Sequence, residues 1–200
     1  MCSGRTRNEK KKRQLRQRVS HLPGRTVVLF EDETYLVLFP PLRAGWAKRG
    51  ETVSVVLCGA NARRVVYGVI SVATGRRFFL PCRRQRAAEF QEFLRLVRNR
   101  YRGWKIIMIL DMDSSHTAQA SQRLAAALDI ELLWLPVRCP ELNPMEGLWR
   151  MGKQQVCANR QYVDIDQQAK RFVDYLKALP SYEALVKSGV LSGNFWLWKK

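Results

Sequence analysis

The sequence predicts an α/β protein with an α+β mixed sheet, in which a three-stranded antiparallel meander is followed by alternating helices and strands. Between residues 26 and 80, short runs rich in β-branched and aromatic residues are separated by glycine-bearing turns. From residue 86 onward, segments with apolar residues at helical spacing alternate with short apolar runs. A meander that leads into such an alternation implies a mixed sheet with helices on its faces.

The first half of the chain supplies the meander. "TVVLFEDET", which begins at Thr26, is an apolar run closed by acids and predicts a buried strand. "TVSVVL" (52–57) and "RRVVYGVISV" (63–72) predict further strands. The turn "ATG" then leads into "RRFFL" (76–80).

The second half supplies the alternation. In "RAAEFQEFLRLVRNRY" (86–101) the apolar residues recur at helical spacing: Phe90, Phe93, Leu94 and Val97. The elements predicted after it are a strand "KIIMILDMD" (105–113), a helix "TAQASQRLAAALD" (117–129), a strand "IELLWLPV" (130–137), a helix to about Ala158 and a helix from about Asp166 to Ala178. This succession is that of a ribonuclease-H-like fold.

The charge of the chain predicts a polyanionic partner. The 35 Lys and Arg residues exceed the 17 Asp and Glu residues, which leaves a formal charge of +18. A positive field of this size most simply indicates nucleic acid. No apolar run approaches the roughly 18–20 residues that span a bilayer, and no secretory signal is visible. We therefore expect a cytoplasmic, nucleoid-associated protein without a membrane partner.

The cysteines argue against zinc. Five cysteines are widely spaced, no pair forms C-x-x-C, and only His21 and His116 could join them. We expect reduced thiols. His116 is expected to be a hydrogen-bonded structural residue at a helix start, rather than a base or a ligand.

The chain divides into three segments: a basic arm or linker at 1–25, a folded domain at 26–180 and a C-terminal tail at 181–200. The arm has nine Lys and Arg residues against Glu9 alone. A block of like charge usually stays solvated until it meets the opposite charge. The arm is either a flexible, solubilising tail or a segment that lies on DNA phosphates. The candidate contacts in it are Lys11, Lys12, Arg13 and Arg16.

Three carboxylates lie where a covered sheet usually carries its chemistry. Asp32 closes the first strand, Asp111 closes the most apolar strand, and Glu146 stands in the first turn after the last strand's loop. They converge if the strand that Asp32 closes and the strand that Asp111 closes are neighbours. Asp113 is the alternative to Asp111 in "LDMDSSH".

Glu146 has two interpretations. Asn143 suits an N-cap, Pro144 the first helical position and Glu146 the third position of a capping box, although Gly147 removes the usual hydrophobic staple. Alternatively, Glu146 leads a helix stripe that continues with Arg150 and Lys153, as beside a phosphate track. The residues alone leave both open.

The blocks "FEDET", "ILDMDSSH" and "CPELNPMEGLW" resemble the signature blocks of the mariner-like transposases, in their bacterial insertion-sequence branch, within the DDE transposase and integrase superfamily. The pattern L-N-P-hydrophobic-E-x-x-W is the most specific part. Thirty-four residues lie between Asp111 and Glu146, an interval typical of the family. "RAGWAKRGETVSV" also resembles the segment after the first acid, so the likeness covers roughly residues 26–180.

The resemblance implies that Asp32, Asp111 and Glu146 are the catalytic triad, which binds two Mg²⁺ ions, or Mn²⁺ as a substitute. Oxygen ligands of this kind favour these ions over zinc. The implied reaction is DNA strand cleavage and strand transfer by two-metal phosphoryl transfer. The implied partners are double-stranded DNA (element ends and target DNA) and a second copy of the chain. Further candidate DNA contacts are Arg43, Lys48, Arg49, Arg150 and Lys153.

Two departures from the family pattern matter. Met112 stands where the family commonly has Asn, which removes one expected support of Asp111. Only 31 residues precede Asp32, where relatives usually carry helix-turn-helix modules. The chain is therefore expected to be a catalytic domain whose helix-turn-helix partner comes from another reading frame, a truncated remnant that only binds DNA, or an excised fragment. A structure-selective nuclease of the same fold is the other alternative.

Overall fold

The computed structural model describes residues 3–198 except for residues 45, 52, 53, 56, 58 and 60. Its sheet has five strands: β1 (Thr26–Val37), β2 (Arg63–Ser71), β3 (Arg77–Cys82), β4 (Lys105–Leu110) and β5 (Ile130–Trp134). The strand order is β3-β2-β1-β4-β5. β1, β2 and β3 form an antiparallel meander, and β1, β4 and β5 run parallel. The predicted mixed sheet and the adjacency of the first and fourth strands are confirmed.

The helices are α1 (Ser3–Ser20), α2 (Ala87–Arg100), α3 (Ser114–Thr117), α4 (Gln119–Ala127), α5 (Met145–Gly152), α6 (Ile165–Ala178) and α7 (Ser181–Lys187). A 3₁₀ turn at Pro140–Leu142 precedes α5, and a π-helical turn at Lys153–Cys157 extends it. The helix predicted to end near Ala158 is therefore one α-helix with a widened last turn. None of the helices in the described ranges is long and apolar enough to cross a membrane.

The strand predicted at "TVSVVL" is wrong for its described residues. Ser54, Val55 and Leu57 have irregular backbone, and the other three residues lie outside the described part of the chain. Both sides of β1 are already paired, one with β2 and the other with β4. The segment therefore has no place beside β1, and the connection between β1 and β2 is irregular over its described residues.

Each face of the sheet has its own core. α2 and α4 cover one face, where the four apolar residues predicted on α2 are all buried: Phe90, Phe93, Leu94 and Val97. α5 and α6 cover the other face, together with α1 and the C-terminal segment. The side chains of a strand alternate between these two cores, because successive residues point to opposite faces.

The basic arm forms a helix that packs on the sheet, where we expected a solvated segment. Leu15 and Val19 of α1 are only 4% and 6% exposed and belong to the core of the α5 face. Arg18 donates through Nε to Glu131, at 2.7 Å. The sequence signal of this docking is the pair Leu15 and Val19, which are one helical turn apart. This pair is hard to recognise in a segment (1–25) that has nine Lys and Arg residues.

The C-terminal segment is also part of the core, so residue 180 does not mark an end of packing. Phe195, Trp196 and Leu197 are buried. The indole Nε1 of Trp196 donates to the carbonyl of Leu142 at 2.8 Å, and its own carbonyl accepts from Arg16 Nε at 2.7 Å. These bonds connect α1, the C-terminal segment and the loop before α5.

Gly147 explains the missing hydrophobic staple. A Cβ atom at this position would lie 2.5 Å from the carbonyl oxygen of Lys187 and 3.1 Å from Cα of Ser188. The α5 helix therefore packs directly on the end of α7, and a larger side chain would separate them.

We expect Gly147→Ala to lower the free energy of unfolding by about 1 kcal/mol. Overpacking against backbone costs about 1–3 kcal/mol, while alanine in a helix regains about 1 kcal/mol. Urea unfolding measures the difference. Gly193→Ala is the matched control, since nothing lies within 4 Å of its Cβ position. Equal stabilities of the two variants would contradict the tight α5–α7 contact.

Candidate metal and DNA-binding site

Asp32 lies inside β1, which continues to Val37, and not at the end of its strand as predicted; its side chain points toward α5. Its Oδ2 accepts a hydrogen bond from the indole Nε1 of Trp149 at 2.9 Å. Gly68 lies directly opposite Asp32 in the β1–β2 register, and a Cβ there would lie 2.5 Å from Cη2 of Trp149 and 2.7 Å from Cε of Met145. Gly68 therefore leaves the space in which Trp149 reaches the carboxylate.

The electrostatics of Asp32 connect it to the other two predicted acids. Burial raises the pKa of Asp32 well above its usual range, and the charges of Glu33, Glu146 and Asp111 raise it further. The hydrogen bond from Trp149 acts in the opposite direction. A cation at this position would remove the repulsion, so the surroundings of Asp32 suit a bound metal ion.

Asp111 follows the last residue of β4 and is accessible, with 57% of its side chain exposed. Its Oδ1 accepts from the backbone N–H of Asp113 and from Nδ1 of His116, both at 3.0 Å. The bond from His116 is the main reason that the pKa of Asp111 lies below its ordinary value. Asp111 is therefore an ionised carboxylate with one oxygen held in place.

Asp113, the alternative to Asp111, has a local role in α3. It is the N-cap of that helix, and its Oδ1 accepts from the backbone N–H of Ser115 at 2.8 Å and from its hydroxyl at 2.7 Å. A carboxylate in this position stabilises a helix start by about 1 kcal/mol.

Glu146 lies in the first turn of α5 and is exposed. The capping of this helix comes from Asn143, whose Oδ1 accepts from the N–H of Met145 at 3.1 Å, while its Nδ2 donates to the carbonyl of Glu31 at 2.7 Å. No hydrogen bond among the described contacts returns the Glu146 carboxylate to Asn143. The capping box is absent, and Asn143 ties α5 to the strand that carries Asp32.

A second acidic group lies on the opposite face of β1, and it was not predicted from the sequence. Glu31 and Glu33 flank Asp32, so their side chains point to the α2 side. There Nε2 of His116 lies 3.4 Å from Oε2 of Glu31 and 3.3 Å from Oε2 of Glu33. Glu33 also accepts from Gln85. The available signal was "FEDET", three consecutive acids in an otherwise buried strand.

This buried group is electrostatically coupled. Burial opposes the charge of His116, but Glu31, Asp111 and Glu33 overcome it and raise the His116 pKa to about 11. Burial also raises the pKa of Glu31 well above its usual range, although the charge of His116 lowers it. His116 is therefore a protonated, hydrogen-bonded residue at a helix start, in the structural position that we expected.

Glu31, Glu33 and His116 could hold a metal ion, since their ligand atoms all lie within 4.8 Å of one another. No other group of three acids, histidines or cysteines in the described part of the chain meets that limit, so Asp32, Asp111 and Glu146 lie further apart. Like charges repel until a cation neutralises them. Because Glu31 and His116 are fully buried, whereas Asp111 and Glu146 are exposed, only the second set can meet a polymeric substrate.

A basic groove of about 960 Å³ begins at Glu146. Arg43, Arg150 and Lys153 line it. The last two residues belong to the stripe of α5 and its extension that was predicted to continue from Glu146. Asn159 holds the loop that carries Arg43: its Oδ1 accepts from the N–H of Arg43 at 2.8 Å, and its Nδ2 donates to the carbonyl of Arg43 at 2.9 Å. Burial lowers the pKa of Lys153, while Glu146 and Asp32 raise it.

The other predicted DNA contacts lie on two segments. Lys48 and Arg49 are exposed in the irregular connection after β1. On α1, Lys11 lines a cavity of about 500 Å³ together with Met112, the residue that follows Asp111 in the sequence. Arg13, on the same helix, is exposed. Lys12 is ion-paired with Glu9 at 2.9 Å, and Arg16 holds the carbonyl of Trp196. Lys11 and Arg13 are thus the freer candidates on this helix.

The thiols take no part in this arrangement. Cys82, Cys139 and Cys157 are free, as predicted, and the last two are buried. Cys2 and Cys58 lie outside the described residues.

The sequence and the fold are similar to known proteins. The family described as DDE superfamily endonuclease matches residues 27–169. An uncharacterized 39 kDa protein of insertion element IS630 from Shigella sonnei is 26% identical over 157 residues, which are 78% of this chain and 46% of that protein. The uncharacterized protein y4pE/y4sA of Sinorhizobium fredii is 34% identical over 64 residues, 32% of this chain and 45% of that protein. The chain spans about half the length of these relatives.

Solved structures confirm the ribonuclease-H-like fold. The catalytic domain of the Mos1 mariner transposase superposes with a TM-score of 0.65 and 14% identity, over 94% of this chain and 88% of that one. The mariner Mos1 paired-end complex with Mg gives a TM-score of 0.71 and 16% identity, over 92% of this chain and 59% of that one.

Proposed function

Because the chain belongs to the DDE superfamily endonuclease family, we propose that it is a transposase catalytic domain that cleaves and joins DNA strands with divalent metal ions. The observation that carries the proposal is the position of Asp32, a partly buried carboxylate whose pKa is raised by desolvation and further by the charges of Glu33, Glu146 and Asp111. Two of these neighbours, Asp111 and Glu146, are exposed, and Glu146 lines the basic groove.

In this proposal Asp32, Asp111 and Glu146 hold the metal. Their ligand atoms are all carboxylate oxygens, which suit Mg²⁺ and Mn²⁺. When bound, two such ions would supply activation of the attacking oxygen and stabilisation of the leaving oxygen in phosphoryl transfer. The Mos1 paired-end complexes with Mg and with Mn support this choice of ions.

The remaining residues of the site position the ligands and the substrate. Trp149 orients Asp32 through its indole N–H, and Asn143 fixes the start of α5 so that Glu146 faces the groove. Arg43, Arg150 and Lys153 would hold the phosphates of the bound strand. No side-chain nucleophile is needed, since the attacking oxygen comes from water or from a DNA 3′-hydroxyl.

The proposed partners are double-stranded DNA, both element ends and target, and a second copy of the chain. Support comes from a Mos1 structure described as a paired-end complex with the left transposon end. We also propose a helix-turn-helix partner from another reading frame that reads the element ends, as the resemblance to the mariner-like transposases implies.

The test is incubation with a duplex that carries the native element's ends, in Mg²⁺, in Mn²⁺ and with a chelator, with nicking and joining scored separately. We expect both reactions with either metal and neither with the chelator. Nicking without joining would favour a structure-selective nuclease. DNA binding without either reaction would favour a remnant that only binds DNA.

We expect DNA binding to be mostly electrostatic, with a contribution from α1. Replacing Lys11 and Arg13 with Gln should reduce the slope of log affinity against log salt by about 0.9 for each phosphate that the protein no longer neutralises. Random and element-end duplexes should weaken by similar factors, because phosphate contacts carry little sequence information. Titrations from low to high salt measure the slope.

Deleting residues 1–20 would change the stability of the fold together with the DNA contacts, since it also removes Leu15 and Val19 from the core. The matched control is Lys170→Gln, an exposed lysine that is ion-paired with Asp174 on α6. A double variant whose slope equals that of the wild type would return α1 to a purely structural role.

A further inference from the structure

We propose that His116 is a positioning residue that fixes Asp111 relative to Asp32, by joining the Asp111 carboxylate to the carboxylates of Glu31 and Glu33. The inference rests on the proposed function, in which Asp32 and Asp111 are metal ligands. It assigns a role to a buried group that the proposed reaction does not otherwise use.

The sheet alone does not hold these two ligands together. The parallel pairing of β1 and β4 ends at Phe30 opposite Ile109. Asp32 and Asp111 come two residues later, beyond the last residues that pair β1 with β4, although Asp32 still pairs with Gly68 of β2. Another contact is needed to keep the separation between the two carboxylates constant, because metal ligands must be held to within about 0.5 Å.

His116 makes that contact from both sides of its ring. Nδ1 lies 3.0 Å from Oδ1 of Asp111 and 3.3 Å from the carbonyl oxygen of the same residue. Nε2 lies between the carboxylates of Glu31 and Glu33, the two neighbours of Asp32 on β1, and contacts them as an ion pair without a hydrogen bond to either. The ring thus connects the end of β4 to the part of β1 that carries the first ligand.

The burial of His116 restricts it to this indirect role. Its side chain is 0% exposed, and its ring packs against Phe90 with the centroids 4.5 Å apart. DNA and solvent cannot reach it, so it cannot transfer a proton to the substrate or contact a phosphate. It acts on the reaction only through Asp111.

The contact also accounts for Met112, the residue that stands where a polar support of Asp111 was expected. Met112 is 52% exposed. Oδ1 of Asp111 is held instead by His116 and by the backbone N–H of Asp113. Support of a ligating carboxylate is typically worth 10–100-fold in metal affinity, about the loss seen when such a partner is removed.

Two substitutions of His116 test the contacts of Nδ1 and Nε2 one at a time. In His116→Asn the side-chain amide nitrogen can take the place of Nδ1 and keep the bond to Asp111. In His116→Gln the amide nitrogen reaches the place of Nε2, near Glu31 and Glu33, and the bond to Asp111 is broken. Both variants remove the imidazole, so both lose stability, and their difference isolates the contact with Asp111.

The experiment measures Mn²⁺ binding to the full chain by electron paramagnetic resonance, without DNA, for the wild type, both His116 variants, Asp111→Asn and Glu31→Gln. We expect His116→Gln to weaken Mn²⁺ binding about 10–100-fold, the usual cost of removing a partner of a metal ligand. The Mn²⁺ affinity of His116→Asn should stay within about threefold of the wild-type affinity, because the bond to Asp111 is kept. Thermal unfolding, with Val97→Ala as a core truncation on α2, shows how much of any change follows from lost stability.

The outcomes distinguish this inference from the proposed function. If the wild type binds Mn²⁺ and Asp111→Asn does not, but both His116 variants bind like the wild type or weaken equally, the inference is wrong and the proposed function stands. If Asp111→Asn binds like the wild type, both are wrong. Binding that is abolished by Glu31→Gln and kept in Asp111→Asn would place the ion in the buried cluster.

Discussion

Asp111→Asn and Glu146→Gln are each expected to reduce metal-dependent strand cleavage by at least about a thousandfold. Each change removes one negative ligand and keeps the shape of the side chain. A metal ion contributes several kcal/mol of charge stabilisation to phosphoryl transfer, and about 4 kcal/mol corresponds to a thousandfold in rate. Single-turnover cleavage of an end-containing duplex in Mg²⁺ measures the loss.

The fold and the affinity for DNA are expected to persist in both variants, because the two carboxylates are exposed and phosphate contacts come from the basic groove. Asp113→Asn is the matched control. It changes an acid two residues from Asp111 that caps α3, and since Asn caps a helix as well as Asp does, it should leave both the stability and the cleavage chemistry nearly unchanged. Full cleavage by either ligand variant would refute the triad.

Leu15→Ala is expected to lower the free energy of unfolding by about 2–5 kcal/mol, the usual cost of truncating a buried leucine. Leu15 is 4% exposed and packs in the core of the α5 face. If the segment were a flexible tail, the same change would have almost no effect. Urea unfolding, followed by circular dichroism, measures the change.

Arg13→Ala is the control for this experiment. Arg13 is exposed on the same helix, so its replacement should change stability by no more than about 0.5 kcal/mol. A loss for Leu15→Ala no larger than that for Arg13→Ala would show that α1 leaves the sheet in solution. The basic segment would then again be a mobile arm.

Elements with a strong local pattern could be predicted from the sequence. The apolar run of β4, the helical spacing of Phe90 and its neighbours on α2, and the alternation of helices and strands each depend on residues close together in the chain. Asp111 and Glu146 follow from the same local reasoning, because each ends or begins a predicted element. Asp32 was expected to close its strand, but β1 continues to Val37 because those residues pair with β2. The role of the three acids as a metal-binding triad remains a prediction.

The features that the sequence could not reveal depend on partners far away in the chain. The strand expected at "TVSVVL" had suitable residues, but both sides of β1 were occupied. Glu146 had a suitable capping-box spacing, but Asn143 caps the helix and binds the strand that carries Asp32. A local pattern records what a segment can form, whereas long-range contacts decide which possibility is realised.

The sequence by itself determined the alternation of helices and strands after residue 86, the positive charge and the placement of Asp111 and Glu146 at element ends, because these are properties of single residues and their near neighbours. Only the tertiary structure decided that α1 belongs to the core, that Gly68 admits Trp149 to Asp32, and that His116 joins Asp111 to Glu31 and Glu33. Each of these depends on the distance between groups on different elements, and that distance exists only after both faces of the sheet have packed.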